Sequence, residues 1–284
     1  MHRIHPSTAS TSDVAPLTAE QVASWQDRGF ALVNGLLPDE LIHAALDEMS
    51  RDPPGPLSRG HMFPSGLSSL NAISTHPRLR AVASQLLGTS ALTLLQSEAW
   101  SKVAPTLTTG LMGQSAYSNS DQRMHMDYPN HYLTHPATWD EPEAVAGILY
   151  FDSEEDCGGA TRVVARSGST DAAYAWPYTS MPGTGGHAWF NDRESAEGYY
   201  EKAAPAVARF RRTLYEREQV ATYQPGTVLL YRYDTWHRGT PLKRGAPNRR
   251  VLNFVIAVRC SSASEPAARK HPSQCPGWVA SRSP

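Results

Sequence analysis

A series of unevenly spaced, strand-like segments is the feature that most limits how this chain can fold. From about Ala91 the apolar residues change from helical spacing to partial alternation. The chain also contains 22 prolines and 20 glycines, which favour turns between such segments. The strand-like segments cover residues 91–104, 145–151, 160–165, 227–233 and 250–258. Because this arrangement is typical of a double-sheet jelly roll, we predict a mainly β fold with a double-stranded β-helix, cupin-like core.

Helix signals precede these strands. Thr18 and Gln21 have the spacing of a capping box, and Gly29 is a suitable residue to end the helix that begins there. Pro38 and Pro77 can each open a further helix. We therefore predict N-terminal helices that flank the β core and back one of its two sheets.

The chain is long enough for one large core, and no linker divides it. We predict a mobile N-terminal tail over 1–16, a single domain over 17–260 and a C-terminal tail over 261–284. Within the domain, residues 167–219 form an insertion that is first aromatic and glycine-rich, and then helical with an interruption near Pro205. Such an insertion is either a lid over a site or a surface decoration, and the sequence favours neither.

Composition excludes several classes of protein. A net charge of −1 gives no basis for a nucleic-acid or anionic membrane partner. No apolar segment approaches the roughly 20 residues of a membrane span, and the N-terminus lacks the pattern of a secretion signal. The three cysteines, Cys157, Cys260 and Cys275, have neither disulfide-framework nor zinc-site spacing. We predict a cytoplasmic protein with reduced thiols and a small-molecule partner, and the sequence leaves the oligomeric state open.

The segment around His125-x-Asp127 carries the candidate chemistry. In a strand, residues i and i+2 point to the same face, so this imidazole and carboxylate would project into one cavity. His237 lies far along the chain and could complete the set if two strands of a barrel lie side by side. Two histidines and one carboxylate are the ligands of non-haem iron oxygenases. The alternatives are a surface turn for His-x-Asp and a core histidine, packed beside Trp236, for His237.

Three stretches together resemble the phytanoyl-CoA dioxygenase family of Fe(II)- and 2-oxoglutarate-dependent oxygenases. They are the His-x-Asp, the segment PGTVLLYRYDTWHRGTP over 225–241 and the strand NRRVLNFVIAV over 248–258. The resemblance covers roughly residues 17–260. The segment DCGGATRVVARSGS over 156–169 also resembles a turn and strand of the family, although Ser169-Thr170 stands where Ser-His is usual.

The resemblance implies an enzyme that binds Fe(II) through His125, Asp127 and His237 and consumes 2-oxoglutarate and O2. It implies hydroxylation of an unactivated C–H bond, with release of succinate and CO2, in preference to desaturation or ring closure. Related halogenases replace the carboxylate ligand with a small residue to make room for a halide. Because Asp127 is present, we predict that this chain is not a halogenase.

The resemblance also implies an arginine for the far carboxylate of 2-oxoglutarate, at the start of the strand after the distal histidine. Arg249 and Arg250 both occupy this place. The apolar pattern that follows favours Arg249, but a shift of one residue in register would exchange the two. Gln96, on an earlier strand, is a further candidate for a contact with the oxo acid.

Four residues are candidates to line the substrate site: Tyr128, Asn130, His187 and Trp189. The low net charge favours a mid-sized, partly apolar metabolite over a coenzyme A thioester. Two other classes of function remain open. One is a non-catalytic jelly roll that binds a small ligand, and the other is a jelly-roll metalloenzyme, such as an isomerase, that does not use 2-oxoglutarate.

Overall fold

The computed structural model describes residues 2–52, 60–103, 119–127, 139–175, 181–183 and 186–259. The strands are β1 (Arg3–Ile4), β2 (Ser7–Thr8), β3 (Phe30–Asn34), β4 (His61–Met62), β5 (Leu92–Lys102), β6 (Ala144–Tyr150), β7 (Thr161–Val163), β8 (Gln219–Ala221), β9 (Val228–Arg232), β10 (His237–Gly239) and β11 (Arg249–Val258). The helices are α1 (Ala19–Arg28), α2 (Asp39–Arg51), α3 (Ser68–Ser74), α4 (Pro77–Leu87), α5 (Glu154–Cys157), α6 (Arg193–Ala203) and α7 (Pro205–Arg217).

The strands form two sheets. The larger has seven strands in the order β2-β3-β9-β6-β11-β5-β4, and the smaller has four in the order β1-β8-β7-β10. Neighbouring strands run antiparallel, except for the parallel pairs β1–β8 and β2–β3 at the sheet edges. Most strands that are consecutive in the chain do not lie next to each other in a sheet. This is the topology of a jelly roll. The predicted fold class is confirmed.

Side-chain alternation along β11 separates two layers of core. Val251 and Val255 point between the sheets, where they join a cluster that includes Val163 of β7. Leu252 and Phe254 point to the opposite face, where they join a cluster built with the N-terminal helices. Each layer buries its own apolar surface, and the inner layer leaves the space in which a site can form.

Helices α1 to α4 cover the outer face of the larger sheet, as predicted. Trp25 of α1 and Val82 of α4 are fully buried there. The capping box is present, since Thr18 Oγ1 accepts a hydrogen bond from Gln21 N (3.3 Å) and Gln21 Oε1 accepts one from Thr18 N (2.9 Å). Gly29 ends α1 with a φ of 96°, in the left-handed region that glycine adopts without strain.

The segment over 1–16, for which the sequence predicts a mobile tail, contains two short strands. Residues 3–4 pair with β8 and residues 7–8 pair with β3, so this segment adds one short strand to the edge of each sheet. Gln21 Nε2 also donates to the hydroxyl of Ser7 (2.9 Å) and to the carbonyl of Thr8 (3.0 Å). The physical reason is that the edge strand of a sheet presents unpaired N–H and C=O groups, with which a segment can pair whatever its side chains are.

The insertion over 167–219 contains α6 and α7, which meet at Pro205 as the sequence predicts. The C-terminal tail over 261–284 lies outside the described residues. Among the residues that are described, no helix combines the length and apolar character that crossing a membrane requires.

Candidate metal centre

The two candidate histidines are direct cross-strand neighbours. His125 N donates to His237 O (2.9 Å), and His237 N donates to His125 O (2.8 Å). The segment 119–127 thereby runs antiparallel beside β10 at the edge of the smaller sheet. Because directly paired residues share a face, the two imidazoles project together, with ring centroids 4.5 Å apart.

Asp127 completes a compact group. Its Oδ1 lies 3.6 Å from His125 Nε2, and its Oδ2 lies 3.4 Å from His237 Nε2. One ligand atom from each of the three residues falls within 4.8 Å of the others, and no other such group of His, Cys, Asp and Glu occurs among the described residues. The fold thus brings residues that are distant along the chain into one group.

Hydrogen bonds to main-chain carbonyls orient both imidazoles. His125 Nδ1 lies 2.9 Å from Arg123 O, and His237 Nδ1 lies 2.9 Å from Thr235 O. A carbonyl can only accept, so each Nδ1 carries a proton, and in the neutral imidazole Nε2 is the nitrogen that has a lone pair and faces Asp127. Carbonyl partners of this kind fix the tautomer of metal-binding histidines.

The charge of the group also suits a cation. Burial lowers the pKa of His125 to about 3, so this imidazole is neutral. Burial raises the pKa of Asp127, but His237, His125 and a hydrogen bond from Tyr231 together lower it well below its ordinary value. The Tyr231 hydroxyl donates to Asp127 Oδ2 at 2.7 Å. Two nitrogen donors and one oriented carboxylate in a largely buried site fit a non-haem Fe(II) centre.

The turn before His237 is fixed from several directions. Thr235 Oγ1 donates to Gly29 O (2.8 Å), and Trp236 Nε1 donates to Ala173 O (2.6 Å). Gly29 allows this approach because a side chain there would meet Thr235 Oγ1 at 2.7 Å. The turn thus connects β9 to His237 through contacts with both the N-terminal helix and the insertion.

The insertion supports the other ligand segment. Tyr215 of α7 accepts a hydrogen bond from Met124 N (3.1 Å), and Arg211 Nη2 donates to Met124 O (3.0 Å). Oε1 of Glu197 in α6 accepts hydrogen bonds from Arg211 Nη2 (2.7 Å) and from the Tyr215 hydroxyl (2.7 Å). Both main-chain groups of the residue before His125 are therefore held by α6 and α7. The sequence alternatives, a lid and a surface decoration, did not include this supporting role.

Arg211→Met is expected to lower the free energy of unfolding by about 2–5 kcal/mol, because Glu197 and Met124 O would lose a buried charged partner. The measurement is equilibrium urea denaturation. Arg212→Met is the matched control, because Arg212 forms its ion pair with Glu201 in solvent, with the two side chains 54% and 52% exposed. The control should change stability by less than about 1 kcal/mol. Equal losses for the two variants would contradict the supporting role of Arg211.

The two candidate arginines for 2-oxoglutarate have different surroundings. Arg249 points between the sheets, is 4% exposed, and donates Nη1 to Gly159 O. Its Nε has no hydrogen-bond partner among the described residues. Arg250 points to the opposite face, where it forms an ion pair with Asp152 and donates to Ser50 of α2 (2.8 Å). This geometry favours Arg249 as the residue that faces a ligand.

Lys102 is a second interior cation, and the sequence argument missed it. It pairs directly with Arg249 across β5 and β11, is 3% exposed, and donates to Ser120 O (3.1 Å) and Thr240 O (2.7 Å). Burial and the neighbouring Arg249 lower the pKa of its ammonium group to about 7. Among the described residues, neither Lys102 nor Arg249 forms an ion pair. From the sequence alone, a buried lysine at the end of a strand cannot be distinguished from a solvent-exposed one.

A cavity of about 540 Å³ leads to Asp127 between β5, β9 and β11. Gln96 lines the same cavity as Asp127 and donates to Glu98 Oε2 (3.4 Å). His187 and Trp189 do not line it. His187 packs on Tyr200, with ring centroids 5.0 Å apart, and Trp189 is 60% exposed beneath Arg123. The other two substrate candidates, Tyr128 and Asn130, lie outside the described residues.

No family model matches the chain, and no curated protein matches it in sequence. Solved structures do match. The non-heme alpha ketoglutarate dependent carbocyclase SnoK from nogalamycin biosynthesis gives a TM-score of 0.58 at 12% identity, over 89% of this chain and 86% of that chain. HygX from Streptomyces hygroscopicus, with nickel and 2-oxoglutarate bound, gives 0.53 at 16% identity, over 85% and 86%. The epimerase SnoN, with Fe3+, alpha ketoglutarate and nogalamycin RO, gives 0.54 at 16% identity, over 84% and 82%.

The fold is that of the non-haem iron, 2-oxoglutarate-dependent enzymes. At identities of 12–16%, these likenesses establish the architecture of this chain, and they carry no residue roles with them. The narrower resemblance to the phytanoyl-CoA dioxygenase family stays a prediction from the sequence.

Proposed function

We propose that this protein is an Fe(II)- and 2-oxoglutarate-dependent oxygenase that hydroxylates an unactivated C–H bond of a small-molecule metabolite. Succinate and CO2 are the co-products. The observation that carries the proposal is the convergence of His125, Asp127 and His237 within 4.8 Å, on paired segments of a jelly roll. The neighbouring structures support it, because SnoK and SnoN are alpha ketoglutarate-dependent enzymes with this fold.

Iron would be held by the Nε2 atoms of His125 and His237 and by the carboxylate of Asp127. Bound iron, together with 2-oxoglutarate and O2, supplies the oxidising power to remove hydrogen from an unactivated carbon. The chain's own part is to hold the ligands and to exclude water. Tyr231 keeps the Asp127 carboxylate oriented through its hydrogen bond of 2.7 Å. Since Asp127 fills the third protein position, a halide has no place there, and we propose an oxygenase in preference to a halogenase.

Arg249 and Lys102 would hold the far carboxylate of 2-oxoglutarate. Two basic groups buried side by side, with no anionic partner in the part of the chain that the structure describes, are costly to charge, and a bound carboxylate relieves that cost. The guanidinium of Arg249 has the planar geometry that pairs with a carboxylate through two hydrogen bonds. Lys102 has already committed two of its three donors to carbonyl oxygens, which leaves one for a ligand.

Ring closure or epimerisation is a second candidate outcome. The specific observation in its favour is that the carbocyclase SnoK and the epimerase SnoN have this fold. Both outcomes would begin with removal of hydrogen from carbon, and they differ in what happens to the substrate afterwards. The same ligands and the same buried cations serve either one, so only the product distinguishes them.

The test of the proposed function is an anaerobic titration with Fe(II) and 2-oxoglutarate. A weak visible charge-transfer band is expected only when both are present, because the band requires the oxo acid to chelate the metal. Fe(II) alone and 2-oxoglutarate alone are the controls. No band at saturating concentrations of both would reject the co-substrate, while metal binding without a band would favour a jelly-roll metalloenzyme of another kind.

A further inference from the structure

Lys102 and Arg249 differ from most other buried basic side chains of this protein, because they have no acidic partner. Three buried arginines each form an ion pair with a carboxylate, namely Arg211 with Glu197, Arg232 with Asp234 and Arg238 with Glu218. Lys102 and Arg249 form no ion pair with any described residue, and Glu265 in the C-terminal tail is the only Asp or Glu outside the described part of the chain. When both groups are protonated, two positive charges lie next to each other in the interior, which costs free energy.

The hydrogen bonds of the Lys102 amino group are those that suit a neutral amine. Lys102 Nζ donates to Ser120 O (3.1 Å) and to Thr240 O (2.7 Å), and it has no third acceptor among the described residues. A neutral amine has two N–H donors and one lone pair, so the two carbonyl oxygens use its donors in full. An ammonium group has three donors, and the third would be buried without a protein acceptor.

The charged groups around Lys102 also favour the neutral form. Burial has the largest effect and lowers the pKa of the amino group, and Arg249, directly opposite on β11, lowers this pKa further. Arg238 of β10 also lowers it, whereas Asp121 raises it. Asp121 is 38% exposed and forms ion pairs with two arginines, one of which is Arg238, so its charge is largely offset. Residues 104–118, which lie close after β5 in the chain, contain no acidic or basic side chain. The combined effect is a pKa of about 7 for Lys102.

A bound carboxylate changes this balance. The step rests on the proposed function, in which the far carboxylate of 2-oxoglutarate lies against Arg249 and Lys102. The carboxylate supplies an acceptor for the third N–H of an ammonium group, and its negative charge favours the protonated form in the low-dielectric interior. The pKa of Lys102 therefore rises when 2-oxoglutarate binds.

We propose that Lys102 is a neutral amine in the protein free of 2-oxoglutarate, that it takes up one proton when 2-oxoglutarate binds, and that the co-substrate therefore binds more weakly in alkaline solution. The proton comes from the solvent and binds to the lone pair of Lys102 Nζ, and no other bond changes. Below about pH 7 the protonated form is present before binding, so the affinity does not depend on pH. Above about pH 7 that form becomes rarer by about tenfold per pH unit, and the affinity falls with it until the pH reaches the raised pKa of the complex.

The test measures the concentration of 2-oxoglutarate that half-saturates the charge-transfer band of the full chain at saturating Fe(II). The titrations are anaerobic and run from about pH 7 to about pH 8.5. We expect the half-saturating concentration to rise by at least about tenfold across this range. Titration calorimetry at about pH 8, in two buffers with different ionisation enthalpies, counts the protons that accompany binding. We expect uptake of about one proton for each 2-oxoglutarate bound.

Three controls isolate the contribution of Lys102. Lys102→Met should bind 2-oxoglutarate more weakly, with an affinity that does not change over this pH range and without proton uptake. Lys202→Met, which removes an exposed lysine from α6, should keep the wild-type pH dependence. Pyruvate presents the same 2-oxo acid end to the metal but has no far carboxylate, so its half-saturating concentration should not follow the pH dependence of 2-oxoglutarate.

A wild-type affinity for 2-oxoglutarate that is independent of pH, or binding without proton uptake, would overturn the inference. A pH dependence of full size in Lys102→Met, or with pyruvate, would overturn it as well. If Lys102→Met does not fold, the proton count and the pyruvate comparison on the wild-type protein decide. A band with a pH-independent affinity rejects this inference alone, whereas no band at any pH rejects the proposed function and the inference with it.

Discussion

His237→Ala is expected to weaken Fe(II) binding by more than about 100-fold, because it removes one of three protein ligands and leaves Asp127 with a single imidazole partner. The fold should persist, since the bonds between the two histidines are made by main-chain atoms. The measurement is anaerobic equilibrium dialysis with Fe(II), accompanied by circular dichroism. The proposed hydroxylation activity should be lost with the metal.

The matched control for this variant is His43→Ala, which removes an exposed imidazole from α2. Its affinity for Fe(II) should equal that of the wild type. Unchanged Fe(II) affinity in a folded His237→Ala protein would show that the metal is held elsewhere. If His237→Ala does not give the circular dichroism spectrum of a folded protein, the Fe(II) measurement is made on His237→Gln, which keeps a polar side chain of similar length.

Arg249→Met is expected to weaken 2-oxoglutarate binding by about 100-fold, which corresponds to roughly 3 kcal/mol for a lost charge-assisted pair in a buried site. Methionine keeps much of the apolar stem of the arginine, so the variant removes the charge without leaving a large cavity. The measurement is the concentration of 2-oxoglutarate that half-saturates the charge-transfer band at fixed Fe(II). Fe(II) affinity itself should change little.

Arg250→Met is the natural control, because it removes the adjacent arginine from the opposite face of the same strand. Its charge already has a partner in Asp152, so 2-oxoglutarate affinity should change by less than about threefold. A larger effect for Arg250 than for Arg249 would mean that the ligand approaches from the helix-covered face. That outcome would contradict the orientation of β11 in the structure.

The long strands could be predicted from the sequence, whereas most of the two- and three-residue strands could not, β7 within the predicted segment 160–165 being an exception. Strands β5, β6, β9 and β11 each carry five or more residues with a clear apolar pattern. Strand β10 has three residues, His237–Gly239, too few for any period to be recognised. It forms because Val163 of β7 on one side and the segment around His125 on the other offer main-chain partners. Such pairing depends on the whole fold and is invisible in the local sequence.

The candidate site shows the same division. Residue type and spacing were enough to propose His125, Asp127 and His237, because metal chemistry accepts few side chains. The choice between Arg249 and Arg250 needed the register of β11, which places Val251 inside and Leu252 outside. The support that Arg211 gives to Met124 and the burial of Lys102 beside Arg249 could be found only in the tertiary structure. Their functions depend on burial and on carbonyl partners that no sequence pattern specifies.

The two main-chain hydrogen bonds between His125 and His237 affect how such a site can change in evolution. Amide and carbonyl groups are the same in every residue, so the spacing of the imidazoles is set by the backbone and tolerates replacement of most side chains around it. A lineage could therefore rewrite its pocket walls, loops and helices while the distance between two ligands stays constant. New specificities could arise without the metal centre having to be built again.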